Sequence, residues 1–274
     1  MTDTALINQV IQLCHRAGEA ILDVYNHSAG FDIDTKADDS PVTEADLAAH
    51  RILESGLSEL LAGVPVLSEE SSLPPFAERS RWQRYWIVDP LDGTKEFINR
   101  NGEFTVNVAL IEAGRPVLGV VYVPTTGVTY GGADGPGAFK EVDGNRQAIA
   151  VRSIEARRSA GLPVSVVASR RHGASAVDQL LDKIAAAFGP VETTSMGSSL
   201  KLCLVAEGAA DIYPRLALTS EWDTAAAQAV VECAGGLVVD TDFAILRYNT
   251  KKDILNPFFY VFGDKDVDWR GILS

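Results

Sequence analysis

Two aspartates, Asp89 and Asp92, stand three positions apart in the segment YWIVDPLDGT. Residues 85–88 before them are aromatic or β-branched, which predicts a buried strand. Because Pro90 fixes φ and Gly93 permits unusual φ, we expect the strand to stop there and the chain to turn. Ligands of α/β proteins bind where strands end, so the two carboxylates could hold a hard cation or a phosphate. Asp, Pro and Gly are also common in ordinary surface turns, and this segment alone leaves both interpretations open.

Three more segments with acidic residues lie where a predicted strand ends or a predicted helix begins. Glu69 and Glu70 follow the apolar run 64–67, and Asp223 precedes a helix rich in Ala and Val. Asp46 follows Thr43 with the spacing of a capping box. Simpler explanations are a solvated loop for the glutamates, an N-cap for Asp223 and the capping box for Asp46. An N-cap and a metal ligand are compatible roles, because a carboxylate has two oxygens.

Taken together, the carboxylates indicate a metal site. Mg²⁺ prefers oxygen ligands and keeps several waters, so it needs only a few carboxylates and a substrate phosphate. The expected ligands of two or more such ions are Glu69, Asp89, Asp92 and Asp223. Sharing Asp89 between ions would hold them about 4 Å apart, the spacing that clamps an in-line displacement. The histidines are scattered, and the motifs of P-loops and serine hydrolases are missing from the sequence. The residue types therefore best support a metal-assisted reaction of a phosphate ester.

Composition narrows the class of protein. The chain has 274 residues, enough for one large domain or two ordinary ones, and 46% of its residues are hydrophobic. A net charge of −13 makes polymeric nucleic acid a poor partner without excluding a small phosphate ester. No apolar run approaches the roughly 20 residues that span a bilayer, and no secretory signal is visible, so we expect a cytoplasmic protein. The three cysteines are too few and too far apart for a disulfide framework.

The hydrophobic pattern predicts two helices and a mainly antiparallel sheet, followed by alternating strands and helices. The predicted helices span residues 3–27, 45–60, 174–188, 198–206 and 223–234. The predicted strands span residues 31–36, 64–67, 85–88, 105–111, 117–123, 128–130, 138–140, 164–168, 191–194, 211–213, 237–239 and 258–262. We expect an α/β chain whose N-terminal domain, residues 1–150, carries most candidate ligands. A C-terminal domain, residues 151–274, would carry Asp223 and the residues that choose the substrate.

Three motifs together resemble the inositol monophosphatase superfamily. They are EES at residues 69–71, DPLDGT at 89–94 and WDTAA at 222–226, in the family's order and over its whole length. The resemblance implies a layered αβαβα sandwich and a Mg²⁺-dependent, Li⁺-sensitive phosphatase.

Further segments are similar to family members that act as 3′(2′),5′-bisphosphate nucleotidases. They lie at residues 40–43, 67–70, 82–86, 93–98, 101–107 and 197–201. The resemblance implies removal of the 3′-phosphate of adenosine 3′,5′-bisphosphate, with its sulfated form as another candidate, in sulfate assimilation and nucleotide recycling. The alternative is an inositol monophosphatase or sugar bisphosphatase with the same metal site, and a remote one is a non-catalytic nucleotide- or metal-binding protein. The resemblance allows a peripheral contact with the inner face of a membrane and leaves the oligomeric state open.

The resemblance also implies roles for single residues. The implied ligands of two or three Mg²⁺ ions are Glu69, Asp89, the Leu91 carbonyl, Asp92 and Asp223. The implied catalytic residues are Glu69 with Asp46 and Thr94, the pair that orients and deprotonates the attacking water. The implied substrate contacts are Glu69, Leu91, Asp92, Gly93, Thr94, His172, Ser198, Lys201, Arg215 and Asp223. Among these, the amides of Gly93 and Thr94 would hold phosphate oxygens, and Lys201 or Arg215 would meet a second phosphate.

Two of the implied substrate contacts also have simpler structural explanations. Lys201 could be a solvated helix residue and Arg215 a loop salt bridge. Family members often have Asn where this chain has Asp39, which would add a charge beside the metal site. Residues 264–274 lie outside the resemblance, and we expect a loose tail without an assigned function.

Overall fold

The computed structural model describes residues 4–27, 33–35, 41–168 and 174–274. Asp39 and His172, both named above, lie outside these ranges. In chain order the elements are α1 (Thr4–Tyr25), β1 (Ile33–Thr35), β2 (Pro41–Thr43), α2 (Glu44–Leu60), β3 (Val66–Ser68), α3 (Phe76–Arg79), β4 (Arg84–Asp92), α4 (Thr94–Ile98), β5 (Thr105–Glu112), β6 (Arg115–Val123), β7 (Val128–Ala133), β8 (Gly137–Val142), β9 (Asn145–Ala148), α5 (Ile154–Ser159), β10 (Val164–Ala168), α6 (Ala174–Phe188), β11 (Val191–Ser195), α7 (Leu200–Ala206), β12 (Ile212–Arg215), a 3₁₀ turn (Glu221–Asp223), α8 (Ala225–Cys233), β13 (Leu237–Asp240), β14 (Phe259–Phe262) and α9 (Trp269–Leu273).

The larger sheet contains β3 to β9 in sequence order. β3 runs parallel to β4, and each later neighbour pairs antiparallel. α1 and α2 cover one face because both helices are amphipathic: α1 buries Ile7, Val10 and Cys14, and α2 buries Leu53 and Leu57. These side chains form one core with the facing residues of β4, β5 and β6.

The smaller sheet has the order β11-β10-β12-β14-β13. β10 is parallel to β11 and β12, whereas β14 is antiparallel to both of its neighbours. α5, α6 and α9 pack on the outer face of this sheet, and α7 and α8 share a core with strands of both sheets. The layers are therefore helix, sheet, helix, sheet, helix, and the expected αβαβα sandwich is confirmed.

The middle helix α8 lies close to the larger sheet because small residues face each other there. A Cβ atom on Gly119 would collide with the carbonyl oxygen of Ala226, and one on Gly132 would lie 2.6 Å from the Cα of Val230. The buried side of α8 is mostly alanine, which permits this approach. The 3₁₀ turn that ends at Asp223 is thereby brought against β4 and β5.

The course of β4 differs from the expectation that the strand stops at Asp89. β4 continues to Asp92, and its pairing with β5 shifts register between these two residues, as in a β-bulge. A bulge leaves residues unpaired, so Pro90 can lie inside the strand although it has no N–H to donate. The turn follows at Gly93, whose φ of 99° is left-handed, and α4 begins directly after it.

Short elements escaped the sequence pattern, among them β2, α3, β9, α5 and α9. The last of them corrects the expectation of a loose tail over residues 264–274. Asp268 caps α9 by accepting a hydrogen bond from the Gly271 amide at 3.0 Å. Trp269 is buried and stacks on Phe262, with ring centroids 4.6 Å apart. The C-terminal segment is thus part of the outer helical layer.

Candidate active site

Three carboxylates that are far apart in sequence meet at one point, and we call Glu69, Asp89 and Asp223 the carboxylate cluster. Each offers one oxygen, and these oxygens all lie within 4.8 Å of one another. Glu69 directly follows β3, which is parallel to β4, and its amide donates to the Val88 carbonyl at 3.1 Å. The parallel pairing therefore places Glu69 next to Asp89 in register. Asp223 reaches them from the middle layer of the fold.

Asp223 is held by the backbone of its own turn. One of its oxygens, Oδ2, accepts a hydrogen bond from the Ser220 amide at 2.9 Å. This contact is half of a capping box in which Ser220 is the N-cap and Asp223 the third residue of the turn. The expectation that Asp223 is itself an N-cap is therefore wrong, because Thr224 occupies that position for α8. The second carboxylate oxygen remains available for another partner.

A buried hydrogen-bond network holds the 3₁₀ turn that contains Asp223 in place. Arg79 is 0% exposed and donates to the Asn249 side chain and to two carbonyl groups of the same loop. The backbone N–H of Asn249 in turn donates to both carboxylate oxygens of Glu221, at 3.0 and 2.9 Å. Glu221 begins the 3₁₀ turn that ends at Asp223. The sequence interpretation missed this network, because no local pattern links residues so far apart in the chain.

The electrostatics of the cluster favour a bound cation. Burial, followed by the charges of Glu69, Asp92 and Asp223, raises the pKa of Asp89 well above its usual value. Burial and the charges of Asp92 and Glu69 likewise raise the pKa of Asp223. Without a cation these carboxylates repel one another at a site where water compensates little. Oxygen ligands of high charge density at one point fit a divalent metal ion, so the residues suit the group that the sequence predicts.

Asp92 lies near the cluster but is engaged differently. Its Oδ2 accepts hydrogen bonds from the Ser199 amide at 2.5 Å and from the Asn107 side chain at 3.4 Å. Burial raises the pKa of Asp92, whereas the charge of Lys201 and the Ser199 hydrogen bond oppose that shift. Asp92 thus joins the larger sheet to the start of α7, and its assignment as a metal ligand stays a prediction, as does that of the Leu91 carbonyl.

Asp46 and Thr94 meet next to the cluster. Asp46 is 1% exposed, and its Oδ2 accepts from the Thr43 amide at 2.8 Å and from the Thr43 hydroxyl at 2.6 Å. Its other oxygen, Oδ1, accepts from the Thr94 hydroxyl at 3.3 Å. The Leu91 amide donates to Asp89 at 3.1 Å, and the Leu91 carbonyl lies 3.5 Å from the Thr94 hydroxyl. The capping box at Asp46 therefore coexists with the contact that the family resemblance implies.

A cavity of about 310 Å³ opens beside these groups. Its lining includes Asp92 and Asp223 on the acidic side and three cationic side chains, Lys95, Lys201 and Arg215. Gly93 and Ser198, both expected to contact substrate, also line it. Lys95 is a lining residue that the sequence interpretation did not select.

Two plainer interpretations of the cations are wrong. Lys201 is not a solvated helix residue, because it is 7% exposed and donates to the carbonyls of Met196 and Ser198 at 3.2 and 2.7 Å. Burial lowers its pKa to about 8, although the charge of Asp92 opposes the shift. Arg215 is not in a loop, since it is the last residue of β12, and it donates to the Leu218 carbonyl at 2.9 Å.

The fold and the cluster define a layered α/β protein with an acidic site suited to metal ions. Residues 3–258 match the inositol monophosphatase family, and the chain belongs to that family. The relationship that the three motifs predict is therefore confirmed.

Similar proteins extend over nearly the whole chain. One named 3′(2′),5′-bisphosphate nucleotidase CysQ, from Escherichia coli K12, is 50% identical over 256 residues, which cover 93% of this chain and 99% of that protein. A protein of the same name from Aggregatibacter actinomycetemcomitans is 39% identical over 98% of this chain and 97% of its own. The crystal structure of CysQ from Bacteroides thetaiotaomicron matches with a TM-score of 0.80 at 41% identity, covering 94% of this chain and 96% of that one.

Within the part of the chain that the structure describes, none of the helices has the length and apolar character needed to cross a bilayer.

Proposed function

We propose that the protein is a Mg²⁺-dependent phosphatase that removes the 3′-phosphate of adenosine 3′,5′-bisphosphate. The observation that carries this proposal is the Asp46–Thr94 pair, which stands beside the carboxylate cluster and is joined to it through Leu91. The nucleotide is supported by the 50% identity to a bisphosphate nucleotidase along almost the full length of both chains. The three cations in the cavity beside the cluster suit a substrate with more than one phosphate.

The cluster, with Asp92 and the Leu91 carbonyl as further candidates, would hold the ions. Bound Mg²⁺ would polarise the phosphoryl oxygens and lower the pKa of the attacking water. Asp46 Oδ1 accepts a hydrogen bond from the Thr94 hydroxyl, so the lone pairs of Thr94 Oγ1 can accept a proton from that water. As the water oxygen bonds to phosphorus and the bond to the ribose 3′-oxygen breaks, the water proton would pass to Thr94 and the Thr94 proton to Asp46. The leaving 3′-oxygen would take a proton from solvent water, and Asp46 would return its proton to solvent. The amides of Gly93 and Thr94 would bind phosphate oxygens.

The test is phosphate release from a small panel of esters, with and without Mg²⁺. We expect release from adenosine 3′,5′-bisphosphate that depends on Mg²⁺ and is inhibited by Li⁺, with the sulfated nucleotide as a second substrate. A kcat/KM for inositol 1-phosphate about tenfold or more above that for the nucleotide would overturn the substrate assignment in favour of an inositol or sugar phosphatase. Nucleotide binding without any release in Mg²⁺ would instead indicate a non-catalytic binding protein.

We also infer that the enzyme acts on a small nucleotide in the cytoplasm rather than on polymeric nucleic acid. Its net charge of −13 opposes a polyanionic partner. Contact with the inner face of a membrane would be peripheral. Cell fractionation tests this location: recovery in the soluble fraction supports it, and recovery with membranes that is released by salt would indicate the peripheral contact.

A further inference from the structure

The three cations of the active-site cavity differ in how strongly they are already engaged. Lys201 is buried, and two of its three N–H donors point to carbonyl oxygens of residues 196–198. Its ammonium also lies 5.7 Å from the centre of the Tyr213 ring. An ammonium with these partners holds the loop that precedes α7. One N–H is left for a ligand, and moving the ammonium towards a phosphate would break the hydrogen bonds to these part-buried carbonyls.

Arg215 is partly engaged. Its Nη2 donates to the Leu218 carbonyl, while its Nε is buried and makes no hydrogen bond within the described part of the chain. A guanidinium fixed at one end has little freedom to follow a ligand. Arg215 therefore contributes a stationary charge to the wall of the cavity.

Lys95 differs from Lys201 and Arg215 in how its side chain is engaged. It is exposed, lines the same cavity, and makes no side-chain hydrogen bond or ion pair with any residue that the structure describes. It directly follows Thr94, whose amide is expected to bind the reacting phosphate, and its four-carbon stem is flexible. Glu96 lines the cavity too, and no ion pair joins the two neighbours.

A second phosphate would add negative charge to a cavity whose lining has three acidic and three cationic side chains. In the proposed reaction the 3′-phosphate lies at the metal ions, and the 5′-phosphate brings about −1.5 to −2 further charges into a cavity that already contains Asp92, Asp223 and Glu96. A strongly hydrated ammonium on a flexible stem is a suitable partner for a phosphate at the open side of a cavity. Of the three cations, only Lys95 can move to that phosphate without breaking a contact.

Resting on the proposed function, we propose that Lys95 is the specificity-determining cation for the phosphate that is not cleaved. Its ammonium contacts the 5′-phosphate of the bound nucleotide, and Lys201 acts as a positioning residue for the loop at residues 196–198. Lys95 thereby distinguishes a bisphosphate from a monophosphate, whereas the carboxylate cluster acts equally on both.

A cycle of two substrates and two enzymes tests the assignment. The kcat/KM values for adenosine 3′,5′-bisphosphate and adenosine 3′-phosphate are measured for the wild type and for Lys95→Met. We expect the variant to lose about tenfold to a hundredfold on the bisphosphate, the range for a hydrogen bond to a charged group, and less than about twofold on the monophosphate. The inhibition constant of adenosine 5′-phosphate should weaken by a similar factor, which is a readout of binding without turnover.

Matched variants separate the assignment from a general effect. Lys95→Arg keeps the charge and should keep most of the preference for the bisphosphate. Lys265→Met removes another exposed lysine, just before α9, and should change neither substrate.

The outcomes distinguish a failure of the Lys95 assignment from a failure of the proposed function. If Lys95→Met keeps the wild-type preference, or loses equally on both substrates, the assignment of Lys95 is overturned and the proposed function stands. If the wild type itself does not prefer the bisphosphate, the proposed substrate fails and the assignment of Lys95 fails with it.

Discussion

Two capping boxes in this protein have the same local chemistry and different surroundings. At the start of α2, the Thr43 amide donates to Asp46; in the 3₁₀ turn before α8, the Ser220 amide donates to Asp223. Both aspartates accept the backbone hydrogen bond with Oδ2. The hydrogen bond to the backbone thus holds each aspartate in place at the start of its helical turn.

The two aspartates differ in the group that the carboxylate meets besides the backbone. For Asp46 it is the Thr94 hydroxyl, a proton donor, so this carboxylate is suited to proton transfer. For Asp223 it is the carboxylate cluster, whose charges help to raise its pKa and favour a cation as the partner. The comparison teaches that a local motif fixes the geometry of an aspartate, while the tertiary neighbours decide its chemistry.

The sharpest way to break the comparison is Asp223→Asn. Asparagine can still accept from the Ser220 amide, so the cap survives and only the ligand charge is lost. We expect kcat/KM to fall by about a thousandfold or more, because several kcal/mol of charge stabilisation depend on the ions. Metal affinity, measured by calorimetry, should fall, whereas the thermal midpoint of the metal-free variant should rise because a repelling charge is gone. Asp89→Asn, a change in another member of the carboxylate cluster, should have the same effects.

The exposed Asp266 supplies the control, since Asp266→Asn removes an equal charge outside the cavity. It should leave activity and metal affinity unchanged. An Asp223→Asn or Asp89→Asn enzyme that retains most of its kcat would falsify the metal assignment.

Asp46→Asn is the matched change in the other box, and a smaller effect is expected. We predict a decrease in kcat of about a hundredfold, the scale of general-base catalysis, with metal affinity and KM nearly unchanged. Steady-state kinetics combined with the same calorimetry shows the contrast with Asp223→Asn. A normal kcat would mean that Asp46 serves only as part of the capping box. A loss of metal affinity would mean that Asp46 and Asp223 do not differ in chemistry as proposed.

The smallest effect concerns the cap itself. Thr43→Ala removes the hydroxyl that lies 2.6 Å from Asp46 and accepts from the Ala45 amide. We expect the free energy of unfolding, measured in urea, to fall by about 1 kcal/mol. Ser55→Ala, at an exposed position of the same helix, should cost less. Equal losses would mean that the box contributes no special stability.

Most of the candidate site could be predicted because each acidic residue marks a local event. Glu69 follows a strand, Asp89 precedes a Pro, and Asp46 and Asp223 stand at helix starts, so their types and spacing are visible in the sequence. Their meeting point depends on the parallel pairing of β3 and β4 and on the packing of α8, which no spacing encodes. The motif order of the family, rather than periodicity, supplied that information.

Some elements of the fold could not be predicted, because their local sequence signals are weak or ambiguous. β9 consists of four exposed residues without apolar alternation, and α3, α5 and α9 are too short for a helical period. Pro90 predicted the end of a strand, but a bulge accommodates it. Lys95 escaped because an exposed lysine is ordinary until the cavity beside it is known. The division of the chain near residue 150 stays a prediction, since α8 packs against strands of both sheets.

The close contact between Gly119 and Ala226 ties the size of the metal site to the volume of residues in the middle layer. A methyl group added at residue 119 would push α8 outward and carry Asp223 with it, although nothing at the site itself had changed. Ions that differ in radius and in ligand number would sense such a change unequally. Gly119→Ala should therefore shift the preference from Mg²⁺ towards the larger Ca²⁺ in competition binding. Packing in the interior would then influence ion selectivity at a distance from the ions.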